Sequence, residues 1–233
     1  MAQTTKTGGP RKLRKGERTR EALKASALTL LMRDGFHDMK VTEICKLAGI
    51  AAGTFYIYFP DKTELSLEVV KEKLAENERY IFGGEPQDDA WDAIVQANKR
   101  YVETFVEAGP LNRVLAQMID ALPEMRQHWE RSLARVARVI AQGLARRTGA
   151  PEGSERALLF VAHAAQGMSD ATALQYFAWE NDDVRTASGD PAELTERLSV
   201  LWFRLLYGAD PAPERLEHAR DILTLTQTER TGS

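Results

Sequence analysis

Between Val41 and Ala48 the apolar residues Val41, Ile44, Cys45 and Ala48 recur at the i, i+3, i+4, i+7 spacing of one buried helical face, and Thr42, Glu43 and Lys46 point outward. Gly49 is placed to stop that helix in a left-handed turn, with Ile50 packing back onto it. A second short helix is expected from Ala52 to Phe59, with Phe55 and Phe59 on its inner face. Thr54, Tyr56, Ile57 and Tyr58 are left facing outward or sideways, and Pro60 ends the segment. Upstream, Leu23, Ala27, Leu30 and Leu31 make one stripe of a helix over about Glu17 to Arg33, closed by Asp34-Gly35, with Phe36 as a plug for the core. Downstream, Asp61 and Glu64 have the spacing of a capping pair for a helix running to about Phe82, with Leu65, Val69, Val70 and Leu74 inward.

Beyond the turn Gly83-Gly84-Glu85-Pro86, helical periods cover Asp88 to Glu107, Leu111 to Ala121, Glu124 to Arg147, Arg156 to Glu180, Pro191 to Tyr207 and Pro213 to Leu225. Asn181 to Asp190 reads as a polar loop, and no strand alternation, repeat or low-complexity block interrupts the series. The expected fold class is therefore all-α: a basic arm over 1–16, a helix-turn-helix domain over 17–75 and a larger helical domain over 76–233.

Charge divides the chain at the same place. Residues 1–75 carry 14 Lys and Arg against 9 Asp and Glu, a balance of +5, and the remainder carries 17 against 25, a balance of −8. Any polyanion is thus met by the front of the chain. Residues 1–16 have two adjacent glycines, a proline and almost no apolar residue, the composition of a disordered segment. With Lys6, Arg11, Lys12, Arg14 and Lys15 they form a cationic arm, suited either to phosphates and a minor groove or to plain solvation. Arg18 and Thr19 lie in the expected first turn of the following helix, where free N–H groups and the helix dipole favour a phosphate. The single cysteine, Cys45, excludes an internal disulfide. It suits a small buried position, and cytoplasm is the expected compartment. No apolar run approaches the roughly 18 residues needed to span a bilayer, so no membrane partner is expected.

Two short helices joined by a three-residue turn make a helix-turn-helix unit, which offers its second helix to a DNA major groove. The same residues also fit a surface turn in which Tyr56 and Tyr58 cover apolar neighbours. The string AGIAAGTFYIYFPDKTEL, Ala48 to Leu65, resembles the AGVSxGTLYxYFxSKExL signature of the TetR (tetracycline-repressor-like) family of bacterial transcriptional regulators. The resemblance covers about Glu17 to Leu74. It implies DNA contacts from Thr42, Ala52, Gly53, Thr54, Tyr56, Ile57, Tyr58 and Lys62. Lys62 sits in the first turn of its helix, against the dipole preference, which suggests an external partner; the alternative is a side chain lying over Tyr58. Two departures stand out: Ala51-Ala52 lacks the family's usual N-cap hydroxyl, and Lys40 replaces another. Hydrogen-bond readout by this helix should be thin, with specificity leaning on methyl contacts, Thr42 and DNA shape.

The resemblance further implies a homodimer through helices over about 156–180 and 191–207, a palindromic operator, a small apolar or amphipathic effector, and repression. Paired recognition helices about 34 Å apart would read successive major grooves. A different class remains open, an architectural or partner-recruiting dimer, or an activator, without an inducer. Candidate ligand-binding residues are Tyr101, Phe105, Met118, Met125, Trp129, His163, Gln166 and Asp170. The last three fall at i, i+3, i+7 on an apolar helix, where they suit a cavity or a subunit interface equally. The four histidines are scattered without metal-ligand spacing, and there is neither a serine elbow nor a phosphate-cradling glycine loop. No enzyme, metal or cofactor is expected.

Overall fold

The computed structural model describes residues 14–225, and the arm positions Lys6, Arg11 and Lys12 lie outside them. Among the described residues there are helices and turns and no strand. The chain divides into two compact units, residues 1–69 and 70–233, and the division falls inside one helix.

In the smaller unit, α1 spans Lys15–Asp38, α2 Val41–Ala48 and α3 Ala52–Tyr58; α4, Lys62–Phe82, begins here. Helix α1 starts two residues before the expected Glu17, because Glu17 folds its carboxylate back onto the Arg14 N–H at 2.7 Å and so caps the helix at Arg14. The last residues of the expected disordered arm, Lys15 and Gly16, are thereby helical. Gly35 breaks the helix with φ 82° and ψ 175°, a backbone only glycine enters without strain. The break turns Phe36 inward, where it is buried with Leu23, Ala27, Leu30, Leu31, Met39, Ile44, Phe55 and Phe59. Helix α2 ends as its residues require: Gly49 takes φ 67°, and the Ile50 N–H closes onto the Cys45 carbonyl at 3.0 Å.

The larger unit contains α5 (Ala90–Ala108), α6 (Leu111–Ala121), α7 (Pro123–Thr148), α8 (Glu155–Ala173), α9 (Asp182–Ser188), α10 (Pro191–Tyr207) and α11 (Arg220–Thr224). Three expectations are corrected. The helix from Arg156 does not run on as α-helix to Glu180 but loosens into a π turn over Leu174–Ala178. Asn181 to Asp190 is not all loop, because Asn181 caps α9 by accepting from the Asp183 and Val184 N–H groups. The stretch expected to form a last helix from Pro213 is a single 3₁₀ turn at Pro213–Arg215 followed by α11. What breaks that helix is Glu196 of α10. Its buried carboxylate accepts the N–H groups of Glu217, His218 and Ala219 at 2.7, 2.5 and 2.8 Å, holding them in a bend. The bend lets Leu216, Ala219 and Leu223 pack with Trp91 and Val200.

Candidate nucleic-acid interface and internal cavity

Helix α3 is held from inside by Phe55 and Phe59, 0% and 2% exposed, their rings 6.1 Å apart. With that face fixed, the opposite one must turn outward. Tyr56 is 60% and Ile57 77% exposed, side by side on a seven-residue helix. Large apolar groups left in water in this way mark a binding surface more often than a packing fault. Neither motif helix has a side-chain cap, since Lys40 and Ala51 supply none. The first bonded N–H of α3 is that of Thr54, to the Ala51 carbonyl at 2.9 Å, so those of Ala52 and Gly53 precede it. Gly53 is exposed, and an added Cβ would meet nothing within 4 Å. Alanine would therefore fit the free chain and favour the helix more. Thr42 is exposed on α2, whereas Thr54 and Tyr58 are half-buried. Tyr58 leans toward α1: a Cβ at Gly16 would lie 3.7 Å from its hydroxyl.

Lys62 corrects an expectation. Its ammonium donates to the carbonyls of Phe36, His37 and Met39 at 3.2, 2.7 and 2.9 Å, and lies 5.6 Å from the centre of the Phe36 ring. These carbonyls follow the break at Gly35 and have lost the helical partners they would otherwise have had. The lysine thus has three partners within the chain, and its ammonium lies by the Phe36 ring. Arg18 and Thr19 also shift in meaning. Because α1 begins at Lys15, the Arg18 N–H is already bonded to Arg14, and the Thr19 hydroxyl donates to the Lys15 carbonyl at 3.1 Å. The free N–H groups thus belong to earlier residues, although the Arg18 side chain stays exposed. Arg20 is committed inward, paired with Glu68, donating to the Tyr58 carbonyl at 3.0 Å and stacked 4.2 Å over Phe59.

The larger unit contains a partly open cavity of about 250 Å³ walled by α4 to α8 and α10. Tyr101, Phe105, Trp129, Gln166 and Asp170 line it as expected. Met118 and Met125 do not: both are fully buried and belong to the core. Nor does His163, which is exposed. Seven residues of helix span about 10.5 Å of axis, and the cavity reaches α8 only between Gln166 and Asp170. Sequence reasoning missed Asn98, Ser169, Trp202 and Arg147 in the lining. Asn98 could have been found, since it stands three residues before Tyr101 on an otherwise apolar face of α5.

Three hydrogen bonds join polar side chains at the cavity. Trp202 Nε1 donates to Ser169 Oγ at 2.7 Å, and Asn98 Nδ2 donates to Ser199 Oγ at 3.1 Å. The Tyr101 hydroxyl donates to Asp170 Oδ1 at 2.7 Å. Burial raises the Asp170 carboxyl to about 6, partly offset by that hydrogen bond. It also pushes the Tyr101 phenol well above its usual range, with the neighbouring carboxylate adding to the shift. Among the described residues, no group of three or more His, Cys, Asp or Glu could hold a metal ion, and no helix is long and apolar enough to cross a membrane.

Family models match part of each unit. Residues 23–69 match the bacterial regulatory proteins of the tetR family, and residues 88–196 match the MftR C-terminal domain. The HTH-type transcriptional regulator EthR of Mycolicibacterium smegmatis is 24% identical over 218 residues, 90% of this chain and 96% of that protein. The fatty acid metabolism regulator protein of Bacillus subtilis is 35% identical over 51 residues, 22% of this chain and 26% of that protein. A tetR-family transcriptional regulator from Streptomyces coelicolor superposes with a TM-score of 0.65 at 21% identity, covering 83% of this chain and 82% of that one.

Proposed function

This chain belongs to the TetR family of DNA-binding transcriptional regulators, and from that premise we propose that it is a homodimeric repressor released from a palindromic operator by a small, largely apolar effector. The observation that carries the effector is the cavity, about 250 Å³ inside the larger unit, mostly apolar in its walls with a few convergent polar groups. The similarity to the fatty acid metabolism regulator lies in a 51-residue match, about a quarter of that protein's length, so that protein's name does not bear on the effector.

Operator contacts are assigned to Thr42, Ala52, Gly53, Thr54, Tyr56, Ile57 and Tyr58, with Arg18 as an added phosphate contact. Tyr56 and Tyr58 supply hydroxyls for phosphates, and Tyr56 and Ile57 supply apolar surface for thymine methyls. Support for the dimer comes from α8. Ala157, Phe160, Ala164, Gly167 and Ala171 fall on one exposed stripe, small enough for another backbone to approach, and Phe160 is 73% exposed. Leu205 of α10 is exposed as well.

The test is selection of binding sites from a pool of random duplexes by the purified protein, followed by sedimentation of the complex. An enriched inverted repeat bound by a dimer, with Phe160→Glu giving a monomer that enriches nothing, is the expected result. Enrichment of a single half-site by a monomer would refute the dimer, and no enrichment at all would favour an architectural role.

A further inference from the structure

Gln166 and Asp170 stand four residues apart on α8 and face the cavity together. Gln166 Oε1 is buried without any hydrogen-bond partner. Asp170 has one, the Tyr101 hydroxyl on Oδ1, and no cation contributes to its electrostatic environment. Two of the nearby donors are directed elsewhere: the Tyr101 proton goes to Asp170 and the Trp202 N–H to Ser169. Arg147, among the described residues the only cation in the lining, donates to the carbonyls of Gln87 and Asp88 at 2.7 and 3.0 Å. This corner therefore holds an unpaired amide oxygen and a carboxyl without a counter-charge. Leaving a buried acceptor unpaired and a buried acid uncompensated is costly, and both costs are relieved by one kind of guest.

We infer that the cavity takes an apolar molecule bearing a basic nitrogen, an alkyl- or arylammonium head whose N–H groups are received by Asp170 and Gln166, and that it refuses the same apolar body bearing a carboxylate. An incoming ammonium pairs with the Asp170 carboxylate and donates a second hydrogen bond to Gln166 Oε1. A carboxylate placed there meets the like charge of Asp170. This inference rests on reading the cavity as the effector site.

Calorimetric titration of the full chain at pH 7.5 with octylamine, octan-1-ol and octanoate separates the two ideas. Octylamine is expected to bind at least tenfold more tightly than octanoate, with octan-1-ol between them. Asp170→Asn should abolish the preference for the amine, while retained octan-1-ol binding shows that its cavity is intact. If octanoate binds as tightly as octylamine, or if Asp170→Asn keeps the preference, the head-group assignment is wrong and the effector reading stands. If none of the three binds, the effector site itself is refuted and this inference falls with it.

Discussion

The two candidate binding regions break the rule of apolar inside and polar outside in opposite directions. Helix α3 turns Tyr56 and Ile57 out into water, and the cavity wall turns Asp170 and Gln166 inward. In each case a neighbour keeps the fold intact: Phe55 and Phe59 anchor α3, and the Tyr101 hydroxyl partly satisfies Asp170. Side chains that anchor the fold and side chains proposed to meet a guest are thus adjacent and separable. The informative residues are those whose surroundings within the chain leave them incomplete.

Substitutions can break that separation in graded ways. The largest effect should come from Phe55→Ala, which empties a fully buried site: loss of about 3–5 kcal/mol in denaturant unfolding, with DNA binding lost because the unit unfolds. Next is Asp170→Asn. Burial keeps a proton on Asp170 up to about pH 6, where the unfolded chain has already lost it. The native state is therefore favoured below the ordinary carboxylate range, and that advantage fades as the pH rises through 6. The variant should flatten the decline and stabilise the protein at pH 7.5 by about 2 kcal/mol, measured as unfolding free energy against pH.

Lys62→Met should cost about 1–2 kcal/mol by leaving the Phe36, His37 and Met39 carbonyls without their donor. It should also leave the salt dependence of DNA binding unchanged. A lost phosphate contact would instead lower the slope of log K against log salt by about 0.9. The smallest effect has two signs. Gly53→Ala should raise stability by up to about 1 kcal/mol, because the added methyl meets nothing, and should weaken operator binding, because DNA backbone would meet it. Thermal unfolding and operator titration on one preparation check both.

The smaller unit was largely legible in the sequence because its signals are local. The stripe Ile44-Cys45, the stop at Gly49 and the pair Phe55 and Phe59 each specify their neighbourhood within a few residues. The internal partners of Lys62 were not legible for the opposite reason, since they lie 23 to 26 residues away, beyond a break at Gly35 whose orphaned carbonyls no periodicity announces. The same holds in the larger unit. Tyr101 and Asp170 could be proposed for the cavity from their types, but their 2.7 Å bond joins residues 69 apart. Met118 and Met125 have the composition of a ligand pocket and the burial of a core, and only packing tells those apart. Glu196 shows the limit most plainly, because one carboxylate 21 to 23 residues upstream replaces a helix that the local pattern favours.

The most direct test of the central claim, that the outward face of α3 serves DNA and not the fold, is unfolding free energy and operator affinity measured side by side for the Tyr56→Ala, Ile57→Ala double variant. Unfolding within about 0.5 kcal/mol of the parent, as for an exposed substitution, together with loss of sequence-specific binding is the predicted result. A loss of several kcal/mol in stability, or retention of specific binding, would contradict it.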